Sequence, residues 1–239
     1  NGSEVEALRE TKNGEHTLNY APEIDFTEAT SKLKVVVSDG REGKEAIGYV
    51  KAYVNMDVAT LNVGSQPLAN NAHVKYPDAF GMVSLNDLKT YSVDYAIANE
   101  VNAKNVDFKF YCFGASGSPR LYSMDNTGKD GEFSGSTGKL SAIKVKNLTR
   151  FAILSNFDYE NATVASISSE ILSSSIAQSL LDPIAVGNVI AFRTGGSSAA
   201  GGGRIAVMKV INITEPKELV SNNATARVMT VEIKFPKKK

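Results

Sequence analysis

Three successive runs of alternating apolar and polar residues between positions 186 and 235 constrain the fold of this chain most. They occupy residues 186–194, 204–213 and 226–235, they are rich in β-branched side chains, and Gly, Ser and Asn separate them. Alternation with a period of two is typical of strands that have one buried face. The pattern therefore predicts an antiparallel meander. The residues that we expect in the core are Ile190, Phe192, Val207, Val231, Ile233, Tyr91 and Phe110.

Further strands precede the meander. Residues 32–38 and 47–56 alternate around the turn signal Asp39-Gly40, which predicts a hairpin with a loop at 39–45. Residues 106–113 and 120–124 form the next expected pair. Residues 139–145, 151–154 and 157–164 are expected to be short strands. The fold class that this pattern predicts is mainly β, an antiparallel β-sandwich.

One short helix is expected near residues 168–181. Ser168 or Ser169 can cap its start, and Leu172, Ile176 and Leu180 repeat at helical spacing. Asp182-Pro183 then ends the segment. The serines at 173–175 have low helix propensity, so tertiary packing would have to stabilise this helix.

Residues 85–97 admit two interpretations. Ser84 with Leu85 and Leu88 could begin a helix, but Tyr91, Val93, Tyr95 and Ile97 favour a strand, and we predict the strand. Residues 88–93, Leu-Lys-Thr-Tyr-Ser-Val, resemble the entry to the sixth strand of immunoglobulin-like and fibronectin-type domains. That resemblance implies an immunoglobulin-like sandwich in which the hydroxyl of Tyr91 ties down the preceding corner.

A length of 239 residues suits one large β domain or two smaller ones. We expect a polar N-terminal lead-in at residues 1–30, a β-sandwich domain at 31–127, and a β-rich domain with the short helix at 139–239. The boundary is placed in the segment 125–138, which is the most turn-rich part of the chain.

Composition excludes several classes of protein. Lys plus Arg and Asp plus Glu both total 26, so no net charge attracts nucleic acid, and we interpret the basic end at 237–239 as a solvated tail. No run of 18 apolar residues exists that could span a membrane. The single Cys112 excludes an internal disulfide and is expected in the core. Because the chain starts with Asn1, we expect that an upstream segment, most commonly a secretory signal, has been removed.

The candidate chemical groups do not assemble into a recognisable site. His16 and His73 have no Cys, Asp or Glu at ligand spacing, and neither lies on a rigid element that would suit a catalytic triad. Residues 125–131 superficially resemble a calcium loop but carry Lys129 and Asp130 at positions that contradict it. We therefore expect no cofactor or metal and single out no catalytic or binding residue.

The segment Gly195–Gly203 is low in complexity and joins two strands, so it lacks the helix N-terminus of a phosphate-binding loop. We expect a mobile hairpin tip that contributes neither ligand contacts nor stability. Replacing it by a two-residue Asn-Gly turn would then leave the melting temperature unchanged or raise it.

Residues 157–164, 187–194 and 204–210 resemble secreted and lipid-anchored surface proteins of gut-type Bacteroidetes. The resemblance implies a lipoprotein, outside the cell or at its surface, whose signal and anchoring cysteine precede Asn1. The expected function is a non-catalytic β-sandwich module that binds a polysaccharide, a protein or another ligand. The alternatives are a carboxylate-based hydrolase and a structural component of a surface assembly. The ligand and the oligomeric state stay open.

Overall fold

The computed structural model of the protein describes residues 30–38, 45–53, 55–114 and 117–238, with the side chains of 30–38 and 45–52 outside that description. Two compact units divide between Val54 and Asn55. The first contains strands β1 (Thr30–Ser38) and β2 (Glu45–Tyr53), which pair antiparallel from Thr30 opposite Tyr53 to Ser38 opposite Glu45. This confirms the predicted hairpin. Its loop and most of the N-terminal lead-in, His16 included, lie outside the described residues.

The second unit contains two antiparallel five-stranded sheets. The first sheet has the order β3-β12-β11-β10-β8, and the second has the order β5-β4-β6-β7-β9. The strands of the first sheet are β3 (Met56–Gly64), β8 (Arg150–Leu154), β10 (Val189–Arg193), β11 (Ile205–Ile213) and β12 (Val228–Pro236). Those of the second are β4 (Met82–Ser84), β5 (Lys89–Tyr91), β6 (Phe108–Phe113), β7 (Ser118–Ser123) and β9 (Leu180–Leu181).

The two sheets share one apolar core, so the second unit is a β-sandwich. Phe108 and Phe110 of β6 pack in the same cluster as Phe192 of β10, Met208 of β11 and Val231 of β12. The rings of Phe108 and Phe151 meet edge to face, with centroids 5.7 Å apart. Every residue predicted for the core is buried except Tyr91, which is half-buried. The predicted meander is confirmed as β10, β11 and β12.

In the part of the chain that the structure describes, three short helices and five 3-10 turns connect the strands. The helices are α1 (Val93–Ala98), α2 (Glu100–Lys104) and α3 (Val164–Glu170). The 3-10 turns lie at Gln66–Leu68, Asp130–Glu132, Leu140–Ala142, Ser173–Ser175 and Pro216–Leu219. Residues of α1, α2 and the turns between 124 and 143 form a second apolar cluster with the outer face of the second sheet. That sheet is therefore buried on both faces.

The helix predicted at 168–181 is wrong in its bounds. Thr163 starts α3 earlier, since it exchanges capping hydrogen bonds of 2.9 and 3.0 Å with Ser166. The helix ends at Glu170, and the serines that follow form the 3-10 turn Ser173–Ser175. These serines have low helix propensity, and the hydroxyl of Ser175 bonds the carbonyl oxygen of Leu172.

The strand predicted beyond Tyr91 is also wrong. Ser92 accepts a hydrogen bond of 3.1 Å from the backbone N–H of Tyr95 and so begins α1. The rings of Tyr91 and Tyr95 then stack with centroids 4.0 Å apart. The hydroxyl of Tyr91 donates to the carboxylate of Asp87, which is part of the preceding turn.

Two of the three predicted short strands are wrong, while β8 confirms the third. Residues 157–163 form a turn in which Asn161 donates from its backbone and side chain to Asp158. Residues 140–142 form a 3-10 turn instead of a strand. Conversely, the sequence pattern after residue 56 did not predict β3. In this strand polar and apolar residues are mixed, and it pairs with β12 along its full length.

The division into domains also differs from the prediction. Strands from both sides of the expected boundary at 125–138 share both sheets, because β3 pairs with β12 and β7 pairs with β9. The compact units divide near residue 54 instead.

Candidate binding trough

A trough of about 520 Å³ lies among the described residues, beside strand β8. One wall consists of residues 152–157, and the other consists of Glu170, Ile171, Ser175 and Gln178. The volume lies within the usual range of ligand sites, about 300–1,000 Å³. Strand β8 is an edge of the first sheet, so the trough runs along an open sheet edge.

The backbone of β8 presents hydrogen-bonding groups to this trough. Phe151 exchanges two backbone hydrogen bonds with Gln178, of 2.8 and 3.1 Å, on the side away from β10. Backbone groups alternate between the two edges of an antiparallel strand, so the N–H and C=O of Ile153 point the same way as those of Phe151. Within the described part of the chain, these two groups of Ile153 have no backbone partner at that edge.

The segment that follows α3 diverges from β8 at the position where Ile153 would otherwise form a second backbone pair. An antiparallel continuation from Gln178 would place Ile176 opposite Ile153. Instead, Ile176 closes the 3-10 turn by donating to Ser173, and its side chain is fully buried. The divergence opens the trough next to Ile153, whose side chain is 43% exposed.

The lining of the trough mixes apolar and polar groups. Ile153 and Phe157 supply exposed or half-buried apolar surface, whereas Ser155, Asn156 and Gln178 supply hydroxyl and amide groups. Glu170 is the one ionisable side chain among the lining residues, and it forms no ion pair with any described residue. The trough can therefore contact a ligand through apolar surface, hydrogen bonds and one negative charge.

A second, smaller cleft of about 200 Å³ lies between the glycine-rich loop and the end of β12. Arg204 and Lys238 are the cations among its lining residues, and the guanidinium carbon of Arg204 lies 3.9 Å from the ring centroid of Phe235. Arg204 donates to the carbonyl oxygens of Ala200 and Pro236. These contacts engage its guanidinium in holding the loop to β12, so we assign Arg204 a structural role.

The glycine-rich loop 195–203 is anchored, which contradicts the prediction of a tip without stabilising contacts. Ala200 is 3% exposed and belongs to the sandwich core. The hydroxyl of Ser197 donates to Asn147 at 2.7 Å, and the N–H of Ala199 donates to the carbonyl oxygen of Lys104 at 2.9 Å. At Gly195 a Cβ would lie 2.5 Å from the backbone nitrogen of Leu148, so the close approach requires glycine.

Beneath this loop lies a buried polar cluster around Asp107. Its carboxylate accepts the N–H of Leu85 at 2.8 Å and the amide of Asn147 at 3.3 Å, and it also bonds Ser198. Burial raises the pKa of Asp107 to about 6 in spite of these bonds. Asn147 is fully buried and also donates to the carbonyl oxygens of Lys104 and Val106. The cluster is enclosed and fastens the loop to the sandwich.

The residues at 125–131 are engaged in ion pairs. The carboxylate of Asp130 is 2% exposed and lies 2.8 Å from the ammonium of Lys109 and 2.9 Å from that of Lys146. Asp125 receives two hydrogen bonds from the guanidinium of Arg150, of 2.9 and 2.8 Å. Burial lowers the pKa of Lys109, while Asp130 favours its charged form. These partners neutralise the acidic groups of the calcium-like sequence.

The remaining candidate groups have structural surroundings. Cys112 is fully buried in the core, as predicted, and burial raises the pKa of its thiol to about 12. His73 lies in a turn, where its Nδ1 accepts the N–H of Lys75 at 3.2 Å. The described residues contain no group of three or more His, Cys, Asp or Glu side chains that could hold a metal. None of the described helices combines the length and apolar character needed to cross a membrane.

Sequence reasoning did not find the trough. Its two walls come from segments that are distant in the chain and that the pairing of Phe151 with Gln178 brings together. The one local signal is that the apolar Ile153 precedes the polar residues Ser155 and Asn156 at the end of a strand. That signal is common to many strand ends.

Comparison with known proteins adds little. No protein-family model matches the chain, and no curated protein matches it significantly. Among solved structures, the chain is similar to a DUF4466 family protein from Parabacteroides merdae, with 13% identity and a TM-score of 0.47. The match covers 81% of this chain and 59% of that protein. Similarity at this level establishes neither a family nor a function.

Proposed function

We propose that this protein is a non-catalytic binding module whose ligand site is the trough beside β8. One observation supports this proposal above the others: the trough joins exposed apolar surface, neutral polar side chains and an open strand edge. Such a lining suits the recognition of a protein segment or a polysaccharide, and it does not require a cofactor.

The carboxylate chemistry of the alternative, a hydrolase, needs two acidic groups that face each other across a site. Glycosidases place them about 5–5.5 Å or about 6.5–9.5 Å apart. Among the lining residues, the trough contains only Glu170 and the smaller cleft only Asp57. No described contact therefore favours hydrolysis over binding.

The compartment is part of the same proposal. An extracellular or cell-surface location, with an outer-membrane lipid anchor on a segment before Asn1, is supported by the resemblance of residues 157–164, 187–194 and 204–210 to Bacteroidetes surface proteins. The immunoglobulin-like type of the sandwich likewise rests on the resemblance of residues 88–93.

A second candidate function is a structural component of a surface assembly. The observation in its favour is the free edge of β8, because exposed strand edges pair readily with other chains. In that case a second copy of the protein would occupy the trough. Light scattering across a hundredfold range of protein concentration distinguishes this case, since self-association would increase with concentration.

The proposed function is tested by blocking the trough. Asn156→Trp places a large ring in the trough, while Asn222→Trp places the same ring at an exposed asparagine outside it. Wild-type protein and both variants are applied to an array of bacterial and host polysaccharides and to a displayed library of random heptapeptides. We expect ligands of the wild type to lose more than about tenfold in affinity for Asn156→Trp and to keep their affinity for Asn222→Trp. Ligands that bind Asn156→Trp unchanged would contradict the proposal.

A further inference from the structure

We propose that the ligand of the trough is an extended peptide segment of another protein, which adds to the free edge of β8 as a short antiparallel or parallel strand. This inference rests on the proposed function and gives it a chemical class. The argument depends on the backbone at Ile153, on the apolar surface beside it and on the charge of Glu170.

The backbone at Ile153 requires a ligand that offers one hydrogen-bond donor and one acceptor along an extended chain. One N–H donor and one C=O acceptor of the same residue point into the trough, and no described backbone group pairs with them at that edge. An extended peptide offers one donor and one acceptor on the same side of every second residue, which matches this arrangement. Strand addition to an exposed edge is a general mode of peptide recognition.

The existing contact between Phe151 and Gln178 sets the direction in which the strand would grow. That pair already completes the edge at Phe151, so a ligand would continue beyond it, along Ile153 and towards Asn156. The available length is about three or four residues. We therefore expect a weak, short-segment interaction rather than a long added strand.

The side chains beside the edge indicate the composition of the segment. Ile153 and Phe157 offer apolar surface for alternate side chains of the strand. Glu170 supplies the one charge among the lining residues and lacks an ion pair within the described part of the chain. Charge complementarity favours a segment that combines β-branched residues with Lys or Arg over one that carries Asp or Glu.

The test uses the full chain and end-blocked heptapeptides selected from a random displayed library, with affinities measured by fluorescence anisotropy. Ile153→Pro removes the N–H that points into the trough, and Ile153→Ala is the matched control that loses the side chain but keeps the N–H. We expect Ile153→Pro to bind about tenfold more weakly than Ile153→Ala. Glu170→Gln should weaken Lys-containing peptides about threefold and leave neutral peptides unchanged.

A second measurement avoids any effect of the variants on folding. Each selected peptide is prepared with N-methyl groups on alternate residues, in two forms that block opposite edges of the strand. We expect wild-type protein to lose binding to one form by more than about tenfold and to keep binding to the other. Equal loss with both forms, or equal binding of Ile153→Pro and Ile153→Ala, would overturn strand addition.

Three further outcomes separate this inference from the proposed function. Polysaccharides that bind wild type but not Asn156→Trp, together with no bound peptide, would overturn the peptide and leave the trough as a binding site. Self-association that Ile153→Pro abolishes would replace the peptide by a second copy. No ligand of either class would overturn both the inference and the proposed function.

Discussion

The glycine-rich loop 195–203 and the trough beside β8 are opposites in sequence and in structure. The loop consists of Gly, Ser and Ala and looks unable to hold any conformation, yet its backbone and hydroxyl groups bond Asn147 and Lys104. The trough is bordered by a regular strand and a helix, yet the edge of Ile153 is left open. A loop is ordered when other segments supply hydrogen-bond and packing partners for it. A regular strand can still leave backbone groups unpaired at its edge.

The largest expected effect follows from replacing residues 195–203 by an Asn-Gly turn. The replacement removes buried Ala200 and the bonds that reach Asn147 and Asp107, so we expect the free energy of unfolding to fall by about 3–5 kcal/mol. Urea denaturation measures it. An unchanged or higher free energy of unfolding would support the prediction, made from the sequence, that the loop is an unanchored tip. The control is Ser174→Ala on the exposed turn beside the trough, which should change the free energy of unfolding by less than about 0.5 kcal/mol.

Asn147 provides a sharper comparison of the two regions. Asn147→Ala removes the amide that donates to the carbonyl oxygens of Lys104 and Val106 and the oxygen that accepts from Ser197, and we expect a loss of about 2–3 kcal/mol. Asn156→Ala, on the exposed wall of the trough, should cost less than about 0.5 kcal/mol. Both are measured as shifts of the denaturation midpoint. Equal effects would mean that Asn147 does not anchor the loop.

The orientation of the β8 edge can be tested with two adjacent prolines. The N–H of Ala152 faces β10, so Ala152→Pro should cost about 2–3 kcal/mol, because it removes a bond between strands. The N–H of Ile153 faces the trough, where proline is tolerated, so Ile153→Pro should cost less than about 1 kcal/mol. The reverse order of the two values would show that the trough lies on the wrong edge.

The last comparison concerns pH and the buried carboxylate of Asp107 beneath the loop. Its pKa of about 6 in the folded protein exceeds the ordinary value of 3.8, so the folded state binds the proton more tightly than the unfolded chain does. Stability from this group is therefore greatest below the unfolded value and falls as pH rises from about 4 through about 6. The slope should stay below about 1.4 kcal/mol per pH unit. Asp107→Asn should flatten it, and an identical slope in the variant would assign the dependence to other groups.

The sequence predicted those parts of the fold in which local pattern and tertiary structure agree. The predicted meander is one example, because the apolar residues that alternate along its strands do pack into the sandwich core. These residues include Ile190, Phe192, Val231 and Ile233. The hairpin of β1 with β2 and the pair of β6 with β7 were found in the same way.

Failures occurred where capping or pairing overrode the pattern. The aromatic and β-branched residues between positions 91 and 97 favour a strand. The hydroxyl of Ser92 instead caps a helix that packs Val93 and Ala96 against the second sheet. Strand β3 lacks a strict apolar and polar alternation, and β12 pairs with it along its whole length. The trough depends on the divergence of Ile176 from β8, which only the folded chain reveals.

The pairing of β3 with β12 also has a consequence for the order of assembly. Thr230 and Asn62 are bonded through their side chains across 168 positions, and Ser65 bonds Thr225 across 160. A ribosome must therefore synthesise nearly the whole second unit before the first sheet can close. Until then, the edge of β3 that pairs with β12 has no partner strand and remains available to other chains, and contacts of such long range slow folding. We expect the nascent protein to depend on chaperones that keep β3 unpaired until its distant partner emerges.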